Sequence, residues 1–445
     1  MKNSSKNTLA LINSIINDTA AHIHDFIPSS TAFTRHRCLD CATLLRTTIN
    51  MQRQSLSVEL MKAAPDHDPV TVSAYEQQKD KLSVSCFQHI FSCFNQVSTF
   101  PLLFANKYRV LAVDGSDFRT PYNSESRYVI NNSNHKKQCL VHINALVDVL
   151  NHAYLDLVFQ PKTALQERKA ALTMLRRYAA KQPTIILMDR GYEGFNVFES
   201  CNRLGLDYII RGRAKAIKEV RQLSDAECDR DYKCIITTAS STKRILRSKG
   251  VDVHYINPNR PSRNKALSKS AQEHNWEFGP VCPVKFRICK FKAYDHKRKR
   301  FTWEILITNL DRHYFPLEQI KALYQLRWGI ETCFRSLKYD LSGIYFHSKK
   351  DSFIEMELYS HFIMYNVVSQ IKNQITVPVR SNHKHRYQIS FKRTFYFISN
   401  FWGQMISDSR YRKILNTLTE YLEPIRPGRH YPRSGHAPGQ RGFNY

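Results

Sequence analysis

Two short apolar runs, Val110-Leu-Ala-Val-Asp114 and Thr184-Ile-Ile-Leu-Met-Asp189, each end in an aspartate, followed by Gly115-Ser116 in the first case and Arg190-Gly191 in the second. Four consecutive apolar residues leave no polar face, so each run predicts a strand covered on both sides and closed by a turn. Such strands need packed elements above and below, which excludes a simple helical bundle. The neighbouring segments agree: β-rich Gln138 to Leu150 and Tyr154 to Gln160, an amphipathic helix from Leu165 to Ala180, a helix from Phe195 to Leu204 and a strand from Tyr208 to Arg211. That order predicts a mixed α/β sheet. Asp114 and Asp189 then sit at carboxyl ends of strands, where open sheets place their sites.

The flanking regions differ in pattern. Residues 1–100 show helical spacing of apolar residues through Ser5 to Ile27 and Leu39 to Met61, with the basic cluster Arg35, His36, Arg37 between them. Residues 214–310 turn to short alternating runs, read as a β-rich insertion with a charged hairpin tip at His296 to Arg300 and a basic loop at Asn257 to Ser270. A single long helix is expected from Leu317 to Tyr339, further helices over 346–423, and a basic Pro/Gly/Arg-rich tail over 424–445. Removing the first 95 or so residues is expected to spare the catalytic core, 101–213 with 311–345.

The chain carries 66 Lys and Arg against 38 Asp and Glu, a formal net charge of +28. A charge this large repels itself unless a polyanion is near, which points to nucleic acid or an acidic membrane surface. No apolar run approaches the roughly 18 residues of a spanning helix. The weakly apolar Leu9 to Ile16 is broken by Asn13 and Ser14, unlike a secretory signal, so no membrane partner is expected. Eleven scattered cysteines, an odd number, fit a reducing cytoplasm. Cys38 and Cys41 have the spacing of half a zinc site, but no second pair closes it, and no histidine spacing suggests one.

On the expected long helix, Tyr324, Arg327, Glu331 and Lys338 fall on one face at a period of 3.6. With Asp114 and Asp189, Glu331 completes three carboxylates from distant segments. Hard divalent cations want such oxygen ligands, so the set suits a two-Mg²⁺ phosphoryl-transfer site, with Mn²⁺ as a substitute. Arg327 and Lys338 would neutralise phosphates beside it, Arg as a fork and Lys as a point charge. Asp117 is a rival for Asp114, but strand alternation favours Asp114. Asp340 lies off the Glu331 face. Arg190 and Tyr192 are candidates for orienting Asp189 or a phosphate.

The segment Tyr324-Gln-Leu-Arg327-Trp-Gly-Ile-Glu331-Thr-Cys-Phe-Arg-Ser-Leu-Lys338 matches Tyr-x2-Arg-x3-Glu-x6-Lys in full. Together with the two aspartates, it resembles the DDE transposases of the insertion sequence four type. The resemblance covers roughly Tyr108 to Tyr339. It implies an RNase H-like mixed-sheet core of the α/β class, interrupted by the β-rich insertion and flanked by helical terminal regions. It further implies Asp114, Asp189 and Glu331 as metal ligands, with Tyr324, Arg327 and Lys338 on phosphates of the transposon end. By the same resemblance Trp303 stacks on a flipped base, although it could equally pack the insertion sheet. The implied function is binding of terminal inverted repeats in double-stranded DNA, metal-dependent cleavage and 3′-hydroxyl joining, as a homodimer in a synaptic complex. The implied setting is a prokaryotic cytoplasm, on the nucleoid when DNA is bound. Arg35 and Arg37 are the expected readers of the ends. An RNase H-like nuclease without joining and a catalytically inactive DNA-binding derivative are the alternatives.

Overall fold

The computed structural model describes residues 7–35, 39–64, 69–131, 136–214, 217–257, 276–295, 299–341, 344–377, 386–404 and 406–425. Arg37, Cys38, the basic loop from 258 onward, part of the charged hairpin tip and nearly all of the tail lie outside the described residues.

Five helices come first: α1 (Thr8–Ala21), α2 (Cys41–Asn50), α3 (Leu56–Ala63), α4 (Val72–Lys79) and α5 (Val84–Val97). The sheet then begins with β1 (Arg109–Thr120), β2 (Val129–Asn131), β3 (Lys137–Asp148) and β4 (Ala153–Pro161). After α6 (Glu167–Arg177), β5 (Thr184–Met188), α7 (Phe195–Arg203) and β6 (Asp207–Arg211) complete its first half. Next are α8 (Lys218–Arg221), β7 (Cys228–Thr237), α9 (Ser240–Ser248), β8 (Val253–Tyr255), β9 (Val281–Asp295) and β10 (Arg300–Thr308). The chain closes with α10 (Leu317–Gln325), α11 (Trp328–Tyr339), α12 (Asp351–Asn373), β11 (Arg386–Ile389), α13 (Phe391–Ser399), α14 (Asp408–Leu418) and β12 (Leu422–Ile425).

Strand β1 pairs antiparallel with β3 on one side and parallel with β5 on the other, and β5 continues in parallel to β6. Alternation sorts its apolar run between two cores. Val110, Ala112 and Phe118 face one packed by the terminal helices, whereas Leu111 and Val113 face one packed by α6 and α7. The α/β class with a large mixed sheet is therefore what the chain forms. Among the described residues the sheet has ten strands, in the order β2-β3-β1-β5-β6-β10-β9-β7-β8, with β4 on β3. The residues read as an insertion thus continue the same sheet edge-on, through antiparallel pairing of β10 with β6.

Three expectations need correction. Gly115-Ser116 is not a turn, because β1 runs on to Thr120 with Gly115 opposite Asn144 and Asp117 opposite His142. Pairing along the whole length of β3 outweighs the local turn preference. Gly115 serves close approach instead: a Cβ there would lie 2.3 Å from His142 Nε2. His142 is buried and held by a 2.6 Å hydrogen bond to Asp117, so Gly115→Ala is expected to cost about 1–3 kcal/mol of stability in denaturant unfolding.

The long helix is also divided. The amides of Leu326, Arg327, Gly329 and Ile330 bond to carbonyls three residues back, which tightens the chain between α10 and α11. Gly329 at the break lets α11 approach the sheet, since a Cβ there would lie 3.0 Å from that of Val149.

Finally, the N-terminal helices do not stand apart from the core. Helix α12 is buried around most of its circumference, and α1, α2, α5 and α13 share its apolar cluster with the underside of β1 and β3. Asn366 on α12 donates to Asn95 on α5 and to the Tyr154 carbonyl on β4, and accepts from the Tyr154 amide. Deletion of residues 1–95 would uncover this shared core rather than spare it. Among the described residues, no helix is long and apolar enough to cross a membrane.

Candidate active site

Asp114 lies on β1 where pairing with β5 ends, at the register Val113 to Met188, and Asp189 is the first residue after β5. Two neighbouring parallel strands therefore deliver two carboxylates side by side. Asp114 points to the sheet face covered by α11, because it shares the phase of Val110 and Ala112. Asp117 has the opposite phase.

Helix α11 carries Glu331 over the same place. Its approach is fixed from the far half of the sheet: buried Arg287 on β9 grips Asp229 with two hydrogen bonds of 2.6 and 2.7 Å. Its Nη1 donates to the carbonyls of Leu310 and Phe315, which lead into α10. Asn309 adds bonds to Tyr208 and Leu206, joining the same connection to β6.

Arg327, only 5% exposed, lies between the acids, 3.7 Å from Asp114 and 3.1 Å from Glu331. Burial works against its charge, but Tyr324, Glu331 and Asp189 outweigh that and strengthen it. Tyr324 is buried beside Arg327, and its hydroxyl has no hydrogen-bond partner among the described residues. Burial, opposed by Arg327 and reinforced by Asp189, pushes the pKa of this hydroxyl up, so it stays protonated. Lys338, about two turns beyond Glu331, reaches back to β1 and donates to Ser116 Oγ and the Asp117 carbonyl, both at 2.8 Å. Burial lowers it to about 8.

The electrostatics favour a cation at the acids. Burial lifts the Asp114 carboxyl to about 6; the Gly115 amide and Arg327 oppose this, while Glu331 and Asp189 reinforce it. The folded chain therefore holds this proton more tightly than the unfolded one. Stability from this group is present at low pH and is lost as pH rises through about 6. Asp114→Asn is accordingly expected to stabilise the metal-free protein at pH 8 by about 1–3 kcal/mol, with the gain vanishing near pH 4 in denaturant titrations. Three oxygen donors in a crowded, partly buried pocket fit a hard divalent cation. Arg327 supplies the positive charge there in this structure.

The other expected site residues fall into two groups. Half-buried Trp303 on β10 lies opposite Lys292 of β9, with the ammonium groups of Lys290 and Lys292 at 4.4 and 5.3 Å from its ring. Its neighbour Glu304 pairs with Arg211 and is felt by Tyr324, so β10 borders the Tyr324 side of the site. Arg190 is exposed in the turn directly after Asp189. Arg35 is exposed between α1 and α2, away from these elements in the chain, and Arg37 lies outside the described residues.

Sequence reasoning missed a group on the reverse face of β1. Asp117 accepts from His142 at 2.6 Å and from Lys162 at 2.7 Å, and His142 Nε2 is 3.5 Å from Glu167. The His142 and Lys162 bonds hold Asp117 down to about 2. The network backs the strand that carries Asp114. Its one legible sign was Asp117 itself, because the partners come from three other segments.

Residues 105–367 match the family described as the transposase DDE domain. No curated protein sequence matches the chain. A solved structure similar to it is the cryo-EM synaptic complex of piggyBac transposase with hairpin DNA, at 12% identity and a TM-score of 0.42, covering 94% of this chain and 84% of that one. DDE transposase domains use divalent metals and act in DNA recombination by cleavage and strand transfer. With more than half of its length within the family match, the chain belongs to the transposase DDE domain family.

Proposed function

We propose that the chain is a cut-and-paste DNA transposase of the insertion sequence four type, acting on the terminal inverted repeats of its own element. The observation that carries this reading is the convergence of Asp114, Asp189 and Glu331, from β1, the end of β5 and α11, around Arg327. The intact Tyr-Arg-Glu-Lys spacing supports the subtype, and the order β4-β3-β1-β5-β6, antiparallel and then parallel, supports an RNase H-like core.

In this reading Asp114, Asp189 and Glu331 hold Mg²⁺, with Mn²⁺ able to replace it. The bound ions supply Lewis acidity at the attacking and leaving oxygens of phosphoryl transfer. Arg327 aligns Asp114 with Glu331 and turns its remaining donors to phosphate; Arg190 and Lys338 flank it with positive charge. Tyr324 lends its hydroxyl to a phosphate oxygen. Trp303 offers a half-exposed ring for an unstacked base, in a frame set by Lys290 and Lys292. Exposed Arg35, with Arg37, reads duplex DNA of the ends, and a homodimer brings two ends together.

Joining of pre-cleaved ends separates transposition from simple hydrolysis. A duplex ending in the element's terminal 3′-hydroxyl should be joined to a supercoiled target in Mg²⁺. Hydrolysis of such duplexes with no joined product would assign the chain to nucleases instead.

A further inference from the structure

The far edge of the sheet holds a second group of metal-type ligands. Glu219 on α8, Cys234 on β7 and His254 on β8 bring a carboxylate oxygen, a thiol sulfur and an imidazole nitrogen within 4.8 Å of one another. Strands β7 and β8 run parallel with Ile236 opposite His254, so Cys234 and His254 share a face two positions apart. Helix α8 lays Glu219 over that face. All three come from separate segments with no motif spacing, so the absence of a zinc pattern in the sequence could not reveal them.

Hydrogen bonding leaves this group incomplete. Glu219 is 4% exposed; its Oε1 accepts from His254 Nε2 at 2.7 Å, but its buried Oε2 has no hydrogen-bond partner among the described residues. A buried carboxylate oxygen without a partner is costly, and a cation is one way to satisfy it. Cys234 is a free thiol, 2% exposed. Burial, with Glu219 next in weight, pushes it far above its ordinary ionisation, so it stays protonated until a cation displaces the proton. Nearby Asp252 is engaged by Lys218 at 2.6 Å. The Phe195 ring packs at 4.7 Å from the His254 ring and closes the apolar side.

We propose that Glu219, Cys234 and His254 form a zinc site, distinct from the acidic triad, that fastens α8 and the three-residue strand β8 to β7. Nitrogen, sulfur and oxygen ligands in one set select zinc over magnesium. One carboxylate and one thiolate neutralise the ion within the protein interior. A tetrahedral site would space these ligands by about 3.3–3.7 Å, so the His254–Glu219 pair needs to open by less than about 1 Å. Water takes the fourth position. Binding releases the Cys234 proton to solvent and requires the neutral His254 tautomer with its proton on Nδ1, leaving Nε2 free to coordinate, so affinity rises with pH.

The full-length protein, equilibrated with Zn²⁺ and desalted, should retain one zinc per chain. Co²⁺ in its place should give a thiolate-to-cobalt charge-transfer band with intense tetrahedral d–d bands. The triad, having oxygen ligands only, cannot produce the thiolate band, so Asp114→Asn should leave it unchanged. Cys234→Ser should abolish it, and the near-isosteric Glu219→Gln, which retains a hydrogen bond to His254, should weaken zinc binding at least about a hundredfold. Cys41→Ser should have no effect. Failure of the wild type to retain zinc, a Co²⁺ spectrum without the thiolate band, or a band lost in Cys41→Ser and kept in Cys234→Ser would each overturn the site.

Discussion

Glu331→Gln is expected to lower end cleavage by at least about a hundredfold while leaving DNA binding nearly unchanged. The substitution keeps the shape of the side chain and its 3.1 Å contact with Arg327, so α11 has no reason to move. What it removes is one anionic oxygen donor of three. Even groups that merely orient a metal ligand cost 10–100-fold when removed, so losing a ligand costs more. Binding rests on a different resource, the surplus of 28 positive charges, which engages the DNA backbone and is not reduced by losing an acid. Single-turnover cleavage of a labelled duplex, alongside gel-shift titration, reads the two quantities separately. Retained cleavage would remove Glu331 from the chemistry. Equal loss of binding and cleavage would make its role structural.

Lys79→Ala is expected to destabilise the fold by about 3–5 kcal/mol. The Lys79 ammonium on α4 donates to Glu357 on α12 at 2.6 Å, and the two side chains are only 2% and 3% exposed. The ring of Phe353 lies 4.7 Å from the ammonium. Burial opposes the Lys79 charge, yet Glu357 and Tyr75 strengthen it overall. Removing the lysine leaves the buried Glu357 carboxylate with the His347 amide at 2.9 Å as its one hydrogen-bond donor among the described residues. Replacing both partners, as Lys79→Met with Glu357→Leu, should recover most of the loss, because no charge is then stranded. Denaturant unfolding of the two single variants and the double variant closes the cycle. The same cycle measures how firmly the N-terminal helices are joined to α12.

The central sheet was legible because its signal is local. Apolar runs such as Ile185 to Met188 and Val110 to Val113, closed by polar residues, read as buried strands, and the single-face pattern of Glu167 to Arg177 reads as a helix packed on one side. What escaped the sequence depended on contacts between distant segments. Gly115 reads as a turn until His142, from the next strand, claims the space over it. The break at Leu326 and Arg327 carries no proline; it exists so that α11 can settle against Val149. The N-terminal helices look separable because their amphipathic faces do not say what covers them, and the answer, α12, lies more than 250 residues away. At the site, strand ends and helical spacing pointed to Asp114, Asp189 and Glu331, which the structure brings around Arg327. The bridging position of Arg327, the engagement of Lys338 on β1 and the Asp117–His142–Lys162 network were not legible, because spacing reports a face and not a partner.

The most direct measurement uses the DNA that flanks the coding sequence of this chain. A supercoiled plasmid carrying that segment should, with purified protein and Mg²⁺, lose it by breaks at the ends of flanking inverted repeats. The released segment should bear 3′-hydroxyl ends and join a second plasmid, and Asp114→Asn, Asp189→Asn and Glu331→Gln should each abolish both products. Breaks scattered without regard to the repeats, or release of the segment by any of the three variants, would contradict the account.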